Sequence, residues 1–384
     1  MRIDYSAVGV AGLLTLASPL HADSVLTTAG RQEGVLRIHA SKVYLDDANV
    51  AWNDTMTVTT AQKRRVTAPN VLTLKSGEQW SGTVLGLGRN ELKFRLEQGG
   101  VRSLDLQLVA AVDFFAGRTA QAGRKEGRLY RKDGSSLKGK LVDINPYGVR
   151  IVSAIGVFNL PRSEVLRYVF GTVDVSAIVI DEVTHVNGST YQGTVRPNGD
   201  MLELDHAFLG TLSFAVNVVQ TVRRGSERWH WLDKNPWSSV TASTPLGPPP
   251  PPQLVSRNAS PYQLRPPAWI SAIHVEADST VRIGRIPERP GRFMAFVIMP
   301  HGSPGAVISR IGSGSEGSQH VFDTPGSSAP WSFDLQPEGV LDLRFRFGDK
   351  IAMPCDALIG DPVIVWESVR GGDVISKKRE VRSE

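Results

Sequence analysis

The chain has 384 residues, 41% apolar and 21% charged, a balance that excludes intrinsic disorder and a length that predicts two to four domains rather than one core. Its net charge of +5 is spread along the sequence apart from Lys63-Arg64-Arg65 and Lys377-Lys378-Arg379, so the basic stripe of a nucleic-acid reader is missing and no nucleic-acid partner is expected. A single cysteine, Cys355 in IAMPCDALIG, excludes an intramolecular disulfide and reads as a small buried hydrophobe.

The first element is a leader. In MRIDYSAVGVAGLLTLASPLHADS a charged start (Arg2) precedes an apolar run from Ala7 to Leu20 and a small residue, Ala22. The run is shorter than a bilayer-spanning helix, which predicts a secretory signal over 1–22 and a periplasmic, envelope or extracellular protein. Leu20 at the −3 position leaves an uncleaved anchor as the alternative. No later segment is long and apolar enough to span a membrane, so no integral segment is expected once the leader is cleaved. Export without disulfides fits a bacterial envelope.

A glycine pair then recurs. LTLKSGEQWSGTVLGLG, LYRKDGSSLKGKLVDI and VTHVNGSTYQGTV place Gly77 and Gly82, Gly134 and Gly139, and Gly188 and Gly193 five residues apart. Asp-Gly and Asn-Gly signal tight hairpin turns because both residues tolerate positive φ. Alternating strands follow, as in ELKFRLE with Leu92, Phe94 and Leu96 on one face, and each unit closes on an apolar segment such as LQLVAAVDFF. Units of this size predict three small, separately folded β-barrels over 66–122, 123–176 and 177–225. A degenerate fourth copy, with Gly30 and Gly34 one residue closer, is read in 23–65. These units resemble the Sm-like or SH3-like small barrels found in tandem in exported planctomycete proteins.

After Arg224 the composition shifts. ERWHWLDKNPWSSV brings Trp229, Trp231 and Trp237, and a proline-rich insertion over 247–252 follows, either a stiff linker or a loop. Beyond Trp269 come GRFMAFVIM, GAVISRI, SQHVFDT, WSFDL, VLDLRFRFGD and PVIVWE. Their alternation predicts a jelly-roll β-sandwich over 226–372, with a charged tail over 373–384. The run from Gly291, with Val321-Phe322-Asp323, the Leu-x-Leu of 341–343 and Phe347-Gly348-Asp349, resembles the NPCBM module, the carbohydrate-binding domain noted beside glycosyl hydrolase family 98. The chain departs from that family where AIHVEA (Ala272 to Ala277) replaces its Gly-x-Gly-x-His-Ser stretch, and where Ile359-Gly360-Asp361 replaces Trp-Ala-Asp.

No His-Glu-x-x-His, zinc ribbon, EF-hand, Walker or Rossmann pattern occurs, and no catalytic residue, metal or cofactor is assigned. Asp323, Asp334, Asp349, Asp356 and Asp361 have the chemistry of a glycosidase pair, but loop acids on a sandwich more often make turns or hold calcium. Sugar recognition uses aromatic faces, so Trp331, Trp229, Trp237 and Trp269 are the candidate ligand-binding residues, Trp331 foremost because Ser327, Ser328, Ala329 and Pro330 beside it offer little bulk to bury it. The sequence thus reads as an exported, non-catalytic all-β protein that binds an envelope glycan through its C-terminal module. The alternative is a structural or interaction component that meets a protein partner through barrel edges.

Overall fold

The glycine pairs build one turn three times over. The structure is a computed structural model describing residues 23–65, 67–115, 125–173 and 180–232, and then 238–241, 253–256, 271–276, 279–285, 290–298, 306–311, 319–322, 328–335, 340–347 and 356–366. The leader, the proline-rich insertion, Cys355 and the charged tail lie outside these residues. Gly77, Gly134 and Gly188 hold φ of +91°, +84° and +88°, the left-handed region that a hairpin turn of this kind requires. The second glycine of each pair has a different task. A Cβ on Gly193 would lie 2.2 Å from the Asp205 carbonyl oxygen, and Gly82 and Gly139 meet cross-strand carbonyls in the same way. There the second strand bends so far over the third that only a bare Cα fits.

All four units, including the degenerate one, share one strand plan. In the second repeat Asn70–Leu74, Gln79–Leu87, Glu91–Leu96 and Val101–Asp105 form an antiparallel meander. A single 3-10 turn, Leu106–Leu108, then delivers the closing strand Val109–Asp113 back to the first strand. The equivalent turns are Trp52–Asp54, Arg162–Glu164 and Val216–Val218. A second regularity ties each unit together. Asp23, Asn70 and Asp181 each stand seven residues before the turn glycine and open their first strand. The Asp181 carboxylate accepts the Val195 and Gly225 N–H groups at 2.8 Å each, linking the bent second strand to the end of the closing one. Asp23 accepts from Leu36 and Ala61, and Asn70 accepts from Val84 and donates to the Phe114 carbonyl. In the third repeat Gly127 occupies that place, and the Tyr168 hydroxyl meets Leu141 N–H and the Gly139 carbonyl instead.

The expected closed barrels are not found among the described residues. Each repeat is a curled, open sheet, because its closing strand pairs outward with the closing strand of another repeat. Thr55–Thr59 of the first runs antiparallel to Val219–Arg223 of the fourth, centred on Val58 and Val222. Val109–Asp113 of the second does the same with Val165–Val169 of the third, centred on Val112 and Tyr168. The result is two eight-stranded sheets, each drawing strands from two repeats, while Leu36–His39, Lys42–Leu45 and Ala48–Val50 of the first repeat, and the three middle strands of the third, form separate three-stranded sheets. An exposed strand edge is a liability that closure normally removes; here the edges hide one another. One apolar cluster then runs from Val25 through Trp80, Phe94, Leu129 and Ile151 to Val222, so the four units share a core rather than keeping separate ones.

The two sheets are locked together by polar groups. The second repeat's Gln79 and Ser81 donate their N–H groups to Thr190 and Ser189 of the fourth, and Gln192 N–H returns a bond of 2.8 Å to Glu78. Glu78 also receives His206 Nε2–H at 2.8 Å, with both side chains buried. The tautomer follows from His206 Nδ1, which accepts the Phe208 and Leu209 N–H groups. A buried carboxylate is stable only when so fully partnered.

The C-terminal part is a sandwich of two antiparallel sheets. One has the order Gln253–Ser256, Ser271–Glu276, Asp356–Trp366, Gly291–Ile298, Ser328–Leu335, with Trp229–Trp231 also paired to Asp356–Trp366. The other has the order Ser238–Thr241, Ser279–Arg285, Val340–Phe347, Ala306–Ile311, Gln319–Phe322. Leu343 of the second sheet packs into the cluster of Ile273, Phe293, Val297, Ile359 and Trp366 from the first. No helix among the described residues is long and apolar enough to cross a membrane.

Two predictions follow from the geometry. Gly134 faces open space, so Gly134→Ala should lose only about 1 kcal/mol through its positive φ, whereas Gly193→Ala must move backbone and should lose about 3 kcal/mol, both read by denaturant unfolding. Equal losses would refute the two roles. At the second–third seam Asp113 lies buried 3.5 Å from Arg167; burial pushes its carboxyl up to about 6, against the pull of the guanidinium. The folded state therefore binds this proton more tightly than the unfolded one, and the group's contribution is lost as pH rises from about 4 through 6. Relative to Asp113→Asn, the wild type should lose up to about 3 kcal/mol between pH 4 and 7. A flat difference would contradict the assignment.

Candidate functional site

The strand Asp356–Trp366 shapes a cleft that the sandwich shares with the first repeat. Its partner Gly291–Ile298 pairs Met294 with Val363 but Phe296 with Gly360, so Asp361 and Pro362 bulge opposite Ala295 alone. Proline cannot donate to a ladder, and Asp361 takes the left-handed region at φ +45°, which aspartate tolerates better than most residues. The bulge sets the buried Asp361 carboxylate beside the first repeat, where its charge acts on Arg31.

Arg31, from the strand Gly30–Gly34, spans the junction. Its guanidinium lies 4.6 Å above the Phe296 ring, donates to Ser24 Oγ at 2.8 Å and stands 3.7 Å from Glu33. Burial lowers its pKa, and Asp361 and Glu33 oppose that shift. Around these groups is a half-open cleft of 430 Å³, lined also by Arg292, Met294, Pro330, Trp331 and Ser332. Arg292 is exposed and pairs with Asp334 at 3.2 Å. A larger cup of 660 Å³ lies between the first and fourth repeats, but it is broad and open, lined by Arg37, Asp46, Asp47 and a largely solvated His39–Asp200 pair. The 430 Å³ cleft combines enclosure, an apolar wall and fixed charge, the features of a small-molecule site.

The sequence-predicted tryptophans fall otherwise than expected. Trp331 is no open platform: it is 1% exposed, edge-on to Phe293 at 5.5 Å and tilted against Phe333 at 5.1 Å. Its small neighbours left the flank open in sequence, but Phe293 on the adjacent strand and Phe333 two residues along its own pack against it. It borders the cleft from within the core. Trp229, 4% exposed, is also corrected. Trp229 and Trp231 each donate their indole N–H to the Arg224 carbonyl, at 2.8 and 2.9 Å, and Arg223 lies 4.1 Å over the Trp231 ring. With Leu26, Met56, Met294, Phe296 and Val363 they form an apolar cluster joining the first repeat to the sandwich. Trp237 and Trp269 lie outside the described residues, as do Asp323 and Asp349. Among the described residues no three acids, histidines or cysteines converge as a metal site.

Arg31, Glu33 and Arg292 were missed by the sequence reading. Arg31 and Glu33 sit in the degenerate first repeat, 260 residues and more from their sandwich neighbours, and no local signal joins them. Asp361 stood among the loop acids, as the aspartate kept where Ile359-Gly360-Asp361 replaces Trp-Ala-Asp, and Asp361-Pro362 inside a strand is the signal that could have shown its bulge.

No family model matches the chain, and no curated protein does. Among solved structures it is similar to a CBM51 module from Clostridium perfringens GH95, in complex with methyl-galactose, at 12% identity over 36% of this chain and 99% of that one, with a TM-score of 0.29. It is similar also to the tandem CBM51 modules of a family 98 glycoside hydrolase from Streptococcus pneumoniae, at 9% identity over 66% and 91%, with a TM-score of 0.28. A third is the second CBM51 and INT domains of Clostridium perfringens ZmpB, in complex with GlcNAc, at 13% identity and a TM-score of 0.27; 43% of this chain aligns, and it spans only 36% of that structure. The similarity to CBM51 carbohydrate-binding modules is distant.

As a core residue, Trp331 should be indispensable to stability. Trp331→Ala is expected to cost about 3 to 5 kcal/mol in denaturant unfolding; a near-neutral effect would return the ring to the surface.

Proposed function

We propose that the chain is an exported, non-catalytic protein that binds a glycan of the cell envelope in the cleft between its first repeat and its sandwich. The leader motivates export, and the NPCBM-like strand motifs motivate a saccharide. The observation that carries the reading is the cleft's chemistry. The aromatic Phe296 and apolar Met294 and Pro330 stand beside Arg31, Glu33, Arg292, Ser332 and Asp361 in a single enclosure. A pyranose presents an apolar C–H face and a rim of hydroxyls, and needs both kinds of surface at once. Forked guanidinium donors and carboxylate acceptors suit neighbouring hydroxyls, since each can engage two of them.

Binding of a glycan panel to the chain tests this. At least one saccharide should bind saturably, and Arg292→Ala and Glu33→Gln, one from each wall, should each weaken it at least about tenfold, about 1.4 kcal/mol. Both residues are largely exposed, so neither change should move the melting temperature appreciably. The secreted chain should begin after Ala22 by intact mass. Silence across the panel, or binding indifferent to both variants, would contradict the proposed site.

A further inference from the structure

Exposed apolar surface is concentrated in one place. Of the ten large hydrophobic side chains that stand well exposed among the described residues, five cluster at one sheet of the third repeat: Val142, Tyr147, Val152, Ile155 and Val157. They sit on or beside a three-stranded sheet of Lys140–Ile144, Gly148–Ser153 and Gly156–Pro161. Val152 and Val157 are direct cross-strand partners on its outer face, and Ile155 caps the hairpin between them. The last strand, GVFNLP, is the sheet's edge: six residues without a charge, apolar on both faces, paired only on its inner side among the described residues.

Edges of this kind are normally guarded by charge, shortness or cover. The first and second repeats show those guards. Ala48–Val50 of the first is three residues long, and Val101–Asp105 of the second carries Arg102 and Asp105. Gly210–Ala215 of the fourth faces the second repeat across a cleft lined by Leu96, Gln98, Leu212 and Phe214. Gly210–Ala215 is as long and as free of charge, but among the described residues only the third repeat's edge is set beside a cluster of exposed apolar side chains, Tyr147, Ile155 and Val157.

We infer that Gly156–Pro161 pairs antiparallel with the same strand of a second copy, making a two-fold dimer that extends this sheet. The chain already joins its own repeats this way: both seams within it are closing strand against closing strand, antiparallel about a local centre. A two-fold contact needs a self-complementary strip, and an uncharged Val-Phe-Asn-Leu strip is one. Arg162, the next residue along the chain after the strand, turns its guanidinium away to Asn70 Oδ1 and the Val84 carbonyl of the second repeat, and Arg150 lies one strand in, opposite Asn159. Across the joint the two Arg150 strands would stand three strand spacings apart, about 14 Å and beyond the Debye length of about 8 Å, so repulsion does not oppose the pairing.

Sedimentation equilibrium of the chain over a concentration series tests this. The wild type should be a dimer, and Val157→Lys and Asn159→Lys, both at exposed positions, should each raise its dissociation constant at least about tenfold while circular dichroism stays unchanged. Two separate variants keep the test decisive if one fails to fold. Val101→Lys, on the guarded edge of the second repeat, should leave the dimer intact. A monomeric wild type, a dimer that survives both lysines, or equal loss with Val101→Lys would overturn the inference. A monomer that captures an acidic polypeptide or an anionic vesicle on this face would overturn it equally.

Discussion

Every repeat in this protein has a closing strand with one edge to hide. A five-stranded unit of this size can do so by curling until its last strand meets its fourth, but here the curl stops short. The exposed N–H and C=O groups of Thr55–Thr59, Val109–Asp113, Val165–Val169 and Val219–Arg223 are satisfied by one another instead, in two antiparallel seams. Most of the architecture follows from that choice. The first repeat must lie against the fourth and the second against the third, which brings the second-strand edges of the second and fourth together. There Glu78, His206, Ser81, Ser189 and Gln192 fasten the two sheets. The third repeat, left at the outside, keeps an edge that nothing in the described chain covers.

The same arrangement fixes the sandwich. With its closing strand taken by the fourth repeat, the first repeat turns Leu26, Arg31 and Met56 toward the C-terminal sheet, where Trp229 and Trp231 meet them. Both indoles hang from the Arg224 carbonyl, one residue beyond the seam, so array and sandwich are coupled through the end of that strand. The cleft is composite for this reason. One wall is a repeat hairpin and the other a bulged sandwich strand, and the proposed ligand chemistry belongs to neither part alone.

How much of this was legible depended on the range of the interaction. Local rules carried the turns: Asp133-Gly134 and Asn187-Gly188 announced positive φ, and Leu92 and Phe94 alternated into the core as expected. The first repeat could be suspected from Gly30 and Gly34. The seven-residue step from Asp23, Asn70 and Asp181 to the turn glycine was also present in the sequence, though its meaning needed the bonds to Leu36, Val84 and Val195. Closure was not legible, because a closing strand's apolar residues look alike whether its edge meets its own unit or another. Trp331 misled for a similar reason. Its chain neighbours are small, but its burial is decided by Phe293 across the strand pair and by the facing layer. Arg31 and Asp361 meet over 330 residues of sequence, with no local pattern to pair them.

If shared edges hold the array together, its repeats cannot open one at a time. Native-state hydrogen exchange under rising denaturant measures this directly. Seam amides in 57–59, 111–113, 167–169 and 221–223 should converge on a single opening free energy, equal to that of global unfolding of the array. Distinct plateaus for separate repeats, with the seams exchanging at the lowest, would mean that the units stand alone and merely touch.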